Sequence, residues 1–307
     1  MLYELAIADA YGASFEFASK TFIARNNKMR YLRHPSRDHE SILSGQYTDD
    51  TQMSIAIAEL LLRSADDSEL VLTQADFAAE FVRVFKRDKR KGYSRRIQGA
   101  LEATSDPGKV YEPTNYKTTP LEAGQEFMTY LGNSSSTANG CVMRTLPIGF
   151  LSDIGLINRY CILHASVTHT SLEAMKATVM AAEAAHFLYH RRLHNSELKY
   201  VLGIPGIRRP AGPVPCRAKE TIEAAVWLID SHNDLAAILR DAISIGGDTD
   251  SVAAVAVGLG SLCHSIKNNL PLSLKRGLEN TAYGKNYLKV LDKELIQKFP
   301  RSSDAKV

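Results

Sequence analysis

The chain has 307 residues, 45% hydrophobic and 23% charged, with a formal net charge of +3 and an isoelectric point near 8.5. That composition supports a sizeable buried core and excludes a chain that is mainly disordered. The charge is too small for a dedicated nucleic-acid binder, and Cys141, Cys161, Cys216 and Cys263 are too scattered to give a zinc site.

The N-terminal "MLYELAIADAYG" has no basic segment ahead of a long apolar one, and no window reaches the ~18 apolar residues that would span a bilayer. A soluble cytoplasmic protein with reduced thiols and no membrane partner is expected. Apolar residues then recur mostly at helical spacing. In "YTDDTQMSIAIAELLL", Thr48, Asp49 and Asp50 directly precede an apolar helix. In "TQADFAAEFVRVFKRD", Thr73 caps a helix whose Phe77, Phe81 and Phe85 share one face, with Glu80 and Arg83 pointing elsewhere. The run "KRDKRKGYSRRIQGAL" reads mainly as a solvated face. "TSDPGKVYEPTNYKTTPLEAG" and "GIPGIRRPAGPVP" carry prolines that helix interiors reject, and read as long surface loops. Further helices are expected over 171–189, 218–229, 235–245 and 251–266. The predicted fold is all-α, with one domain over 1–307: a core of about 2–266, a C-terminal helical extension over 267–299 and a flexible tail over 300–307.

A second acidic motif, "SIGGDTDSVAAVAVGLGSL", again places short oxygen-bearing side chains, Asp248, Thr249, Asp250 and Ser251, at the start of an apolar helix. Gly246 and Gly247 allow a sharp entry. Capping explains one carboxylate per helix. Each motif offers two, and two carboxylates held close in a buried site repel unless one binds a proton or a cation neutralises them. Mg²⁺ and Ca²⁺ take such oxygen donors. Thr48, Asp49 and Asp50 with Asp248, Asp250 and Ser251 supply six, enough for a two-metal site.

With these motifs in order, the sequence resembles the ADP-ribosylglycohydrolase family. "LAIADAYGASFEF" is similar to its opening helix and following loop, "YTDDTQMSIAIAELL" to its first metal motif, and "ANGCVMRTLPIGFL" to its Asn-Gly-x-x-Met-Arg segment. "SVTHTSLEA" is similar to its Thr-His segment, "ETIEAAVWLI" to the helix before the last loop, and "ISIGGDTDSVAAVAVGLGS" to its second metal motif. The resemblance implies an all-α orthogonal bundle holding two Mg²⁺, or Mn²⁺, through Thr48, Asp49, Asp50, Asp248, Asp250 and Ser251. It implies a catalytic or gating role for Glu16, helped by Asp49 or Asp250. It also implies substrate contacts from Gly92, Tyr93, Ser94, Asn139, Gly140, His169 and Gly247. Arg144 then pairs with an acid or braces its loop. The chain departs from the family at Ala8, where Gly is usual, at Leu172, where Pro is usual, and at Ser251, where Thr is usual.

The implied chemistry is hydrolysis of the bond between C1 of the distal ribose of ADP-ribose and an acceptor atom, through an oxocarbenium-like transition state that carboxylates stabilise. The partner is an ADP-ribosylated protein or another ADP-ribose conjugate, with nucleic acid only as an ADP-ribosylated substrate, and a monomer is expected. Two other readings stand beside it. One is a non-catalytic ADP-ribose-binding or structural member; the other is a Mg²⁺-dependent phosphoester hydrolase, for which a GxxxxGK[ST] loop is missing.

Overall fold

The computed structural model describes residues 1–36, 41–65, 71–104 and 119–301, without the side chains of residues 119–121. The tail from 302 onward and residues 105–118 of the first proline-rich stretch lie outside the described residues. In chain order the helices are α1 (Leu2–Gly12), α2 (Lys20–Asn26), α3 (Asp49–Ala65), α4 (Gln74–Arg87), α5 (Arg95–Thr104) and α6 (Thr119–Leu131). After 3₁₀ turns at Asn139–Cys141 and Leu146–Phe150 come α7 (Ile154–Ser166), α8 (Leu172–His190), α9 (Leu198–Val201), α10 (Ala218–Ser231) and α11 (Leu235–Ile245). The last three are α12 (Thr249–Leu262), α13 (Leu272–Gly277) and α14 (Lys285–Lys298). Among the described residues there is no strand, only single bridges at Val214 with Gly247 and Asp234 with Lys267. The fold is all-α, as expected.

Helices α1 and α12 are buried on nearly every face, which is why both read as apolar all round and why they form the centre of the bundle. They pack backbone to backbone at Gly12, where a β-carbon would collide with the backbone of Thr249 and Asp250. The end of α1 is therefore pressed against the start of the second acidic motif. Helix α3 carries the first motif and packs on α1, α4 and α14. The N-terminus of α1 is capped from far along the chain: Asp292 of α14 accepts from Leu2 N (2.8 Å) and Tyr3 N (3.0 Å).

Local signals set the helix starts. Thr73 and Asp76 form a capping box on α4, and Ser171 and Asp234 accept from Ala174 N and Ala237 N at the heads of α8 and α11. Four expectations change. Glu80 does not point away: it is buried and ion-paired with Arg63 and Arg83, which also hold Glu59 on α3. Arg90, within the expected solvated run, is buried over the Tyr47 ring at 3.9 Å and paired with Asp88 and Glu279. The end of the first proline-rich stretch is helix α6 rather than loop, because Pro120 falls in its first turn, where a missing N–H costs nothing. Helix α12 starts at Thr249 and ends at Leu262, since Cys263 and Ser265 turn away to bond Leu193 and Asn195.

Candidate metal centre

The head of α3 is held by a residue outside its own motif. The Asp9 carboxylate, fully buried on α1, accepts from Thr48 N (3.1 and 3.0 Å), Thr48 Oγ1 (2.7 Å), Thr51 N (3.1 Å) and Thr51 Oγ1 (2.5 Å). Asp9 thus supplies the cap that Asp49 and Asp50 would otherwise explain. The proton of Thr48 is committed to Asp9, which leaves the hydroxyl oxygen's other lone pairs for a cation.

The second motif behaves the same way. Asp248 occupies the cap position of α12 but makes no capping hydrogen bond. Its Oδ2 instead accepts from Asn139 Nδ2 (2.9 Å), whose amide also donates to Thr221 Oγ1 (3.0 Å). The backbone of Asp248 is fixed by donation to Val214 O (2.8 Å). The two motifs meet at Asp50, whose carboxyl is pushed up by burial and then by the charges of Asp9, Asp49 and Asp248, while the Ser251 hydroxyl opposes the rise.

Glu16 completes the acid cluster. Carboxylate oxygens of Glu16, Asp248 and Asp250 lie within 4.8 Å of one another, and Phe17 N donates to Gly247 O (2.8 Å), which pins the Glu16 loop to the second motif. Burial, then Asp248 and Asp9, push the Glu16 carboxyl up to about 7. Burial and the neighbouring carboxylates raise Asp49, Asp50 and Asp250 well above the ordinary carboxylate range. Asp50 Oδ1 and Asp250 Oδ1 are buried without a hydrogen-bond partner among the described residues. Buried carboxylate oxygens without donors are costly. An all-oxygen donor set facing two such orphaned atoms fits a hard divalent cation held between α3 and α12.

The remaining predicted residues lie around this cluster in different ways. Gly92 has φ +114°, and a β-carbon there would collide with Asp49 Oδ1. Tyr93 donates to Gln52 Oε1 (2.6 Å) and packs edge-on against Phe85. Ser94 is exposed and its Oγ accepts from Ile97 N (3.4 Å) at the head of α5. His169 is buried beside Gly140: a β-carbon on Gly140 would come within 3.3 Å of its ring. Burial, then Arg144 and Arg96, hold the His169 imidazole down at about 3, so it is neutral. Arg144, also buried, finds no carboxylate at ion-pair distance among the described residues and braces the loop instead, with donations to His164 and Thr168.

The sequence model of the ADP-ribosylglycohydrolases matches residues 1–305. The chain belongs to the ADP-ribosylglycohydrolase family. Among curated relatives, an ADP-ribosylarginine hydrolase, Tri1, from Pseudomonas putida (strain GB-1) is 24% identical over 98% of this chain and 78% of its own. An ADP-ribosylhydrolase ARH3 from Mus musculus is 22% identical over 84% of this chain and 78% of its own. The ARH3 of Gallus gallus is 23% identical over 59% of this chain and 47% of its own. A solved structure described as an ADP-ribosylglycohydrolase-related protein complex superposes with a TM-score of 0.68 at 21% identity, covering 97% of this chain and 95% of that one. At that identity it shows the shared fold.

Within this ADP-ribosylglycohydrolase chain, two residues at the cluster escape a reading by motif. Asp9 carries a weak signal: beyond Glu4 in the first turn, it is the one charged residue of a helix whose remaining length is apolar and has to be buried. Cys216 carries none: it is far from either motif in sequence and the residue is exposed overall, but partial desolvation of its thiol and then the charge of Asp248 push the thiol up. The departure at Leu172 is benign. Leu172 is the first residue of α8 after the Ser171 cap, a position where Pro is also accommodated, and its side chain is exposed.

Proposed function

We propose that this ADP-ribosylglycohydrolase is a metal-dependent hydrolase that releases ADP-ribose from a mono-ADP-ribosylated acceptor, with two Mg²⁺, replaceable by Mn²⁺, between α3 and α12. The observation that supports the reading is that Asp50 and Asp250, from two motifs distant in sequence, each bury an oxygen without a hydrogen-bond partner among the described residues while the charge of Asp50 bears on Asp250. Thr48, Asp49, Asp50, Asp248, Asp250 and Ser251 would hold the cations. When bound, these supply positive charge for the sugar oxygens and acidify water near neutral pH.

The protein's own groups divide the remaining work. Glu16, with a carboxyl near 7, can hold or release a proton at its Oε atoms close to working pH. Asp9 keeps Thr48 and the head of α3 in place, and Asn139 does the same for Asp248. His169 offers a neutral ring edge beside Gly140, Gly92 keeps the space over Asp49 open, and the carboxylates stabilise positive charge at C1 of the ribose.

The test is release of ADP-ribose from mono-ADP-ribosylated arginine, serine and nucleic-acid substrates, with Mg²⁺ and with EDTA. Arginine-linked substrate is the first arm because Tri1 is named for that linkage. Release that stops with EDTA and returns with Mg²⁺ is expected. Failure on every acceptor sinks the hydrolase reading, and calorimetric binding of ADP-ribose without turnover would replace it with a binding role. Release of phosphate in place of ADP-ribose would make the protein a phosphoester hydrolase.

A further inference from the structure

Behind His169 lies a buried polar chain that the site as described does not use. Arg144 Nη2 donates to Thr168 Oγ1 (2.8 Å), and Thr168 Oγ1 lies 2.7 Å from His169 Nδ1. All three side chains are buried, and Arg144 rests against the Phe81 ring at 4.5 Å. An arginine can only donate, so Thr168 Oγ1 must accept from it. The single hydroxyl proton of Thr168 has no other acceptor within hydrogen-bonding distance among the described residues, so it goes to His169 Nδ1. Nδ1 is then an acceptor, and the ring's own proton sits on Nε2, on the edge that faces Gly140.

Arg144 treats its other histidine alike. Its Nε donates to His164 Nδ1 (3.3 Å), which leaves His164 Nε2–H to donate to Thr145 Oγ1 (3.1 Å). One buried guanidinium thus orders two imidazoles in the same tautomer. Its charge, with that of Arg96, which donates to Thr168 O (3.0 Å), also opposes a second proton on His169.

We infer that Thr168 is a positioning residue: together with Arg144 it fixes His169 as a neutral Nε2–H donor aimed over Gly140 at an oxygen of the bound ADP-ribose. The inference rests on the functional reading for the identity of that oxygen's owner, but the tautomer does not depend on it. Nitrogen-15 spectra of histidine-labelled protein should show His169 with a protonated Nε2 and an acceptor Nδ1, unchanged from about pH 6 to about pH 8. Thr168→Val, which keeps the shape and removes the hydroxyl, should give a mixed tautomer and weaken ADP-ribose binding about tenfold by calorimetry. Thr168→Ser should restore both.

A wild-type His169 that carries its proton on Nδ1 overturns the proposal, whatever the protein hydrolyses. So does a Thr168→Val protein that binds ADP-ribose as the wild type does, or a Thr168→Ser protein that stays impaired. If Thr168→Val does not fold, the wild-type spectrum and Thr168→Ser decide. The expected spectra and binding without release of ADP-ribose would support the tautomer and count against the hydrolase reading alone.

Discussion

At the scale of single residues, the carboxylate with the greatest structural leverage is Asp9, which is outside the six expected ligands. It satisfies two backbone and two hydroxyl donors at the head of α3. Asp9→Asn would turn one acceptor oxygen into a donor facing other donors and strand at least one of them in a buried site. That costs about 1–3 kcal/mol. Urea unfolding should show a loss of that size, and calorimetry should show Mg²⁺ binding weakened at least about tenfold, because Thr48 and Asp49 lose their support. Unchanged stability with lost metal binding would instead make Asp9 a ligand. Burial raises the Asp9 carboxyl above its ordinary value on balance, and the donors from Thr48 and Thr51 oppose that rise.

At the scale of elements, the loop between α4 and α5 shows how a backbone position serves the site. Gly92, at φ +114°, leaves no room for a β-carbon beside Asp49 Oδ1. Gly92→Ala should cost about 1–3 kcal/mol of backbone strain. It should also displace Asp49, so that Mg²⁺ affinity falls while the helical spectrum stays; intact affinity would mean that the loop yields freely. This position also marks where sequence reading succeeds and where it stops. Helix α11 was legible to the residue, because Asp234 caps it and Gly246 ends it. The two acidic motifs were legible because like charges at the mouths of apolar helices need a cause. The caps supplied by Asp9 and Asp292, the ion pairs of Glu80 and the burial of Arg90 were not, since each depends on a partner distant in sequence that no local period encodes. Gly92, Tyr93 and Ser94 are candidates through the resemblance of their loop to the family's diphosphate-receiving loop; in the fold Tyr93 packs on Phe85 and Ser94 caps α5, contacts that no local period encodes.

At the scale of the whole molecule, the acid cluster couples stability, pH and metal. Burial raises Glu16 from 4.5 to about 7 in the fold and raises Asp49, Asp50 and Asp250 well above 3.8. A carboxyl raised in the fold contributes stability that is fully present below its unfolded pKa and lost as pH rises through the folded value. For Glu16 that window runs from about 4.5 to about 7. The metal-free protein therefore loses stability from this cluster as pH climbs towards 8. A cation that binds the ionised carboxylates only in the folded state has the opposite dependence: fewer protons compete with it at higher pH, so its affinity rises. At about a hundredfold excess over Kd, such binding adds about 2.7 kcal/mol, a shift of several degrees in Tm for a chain of this size. Thermal unfolding with and without Mg²⁺ should thus show a larger gain near pH 8 than near pH 6, reversed by EDTA. A gain independent of pH would mean that the cation is held elsewhere than by these carboxylates. A gain that shrinks with rising pH would mean that the cluster is already neutralised by the protein's own cations.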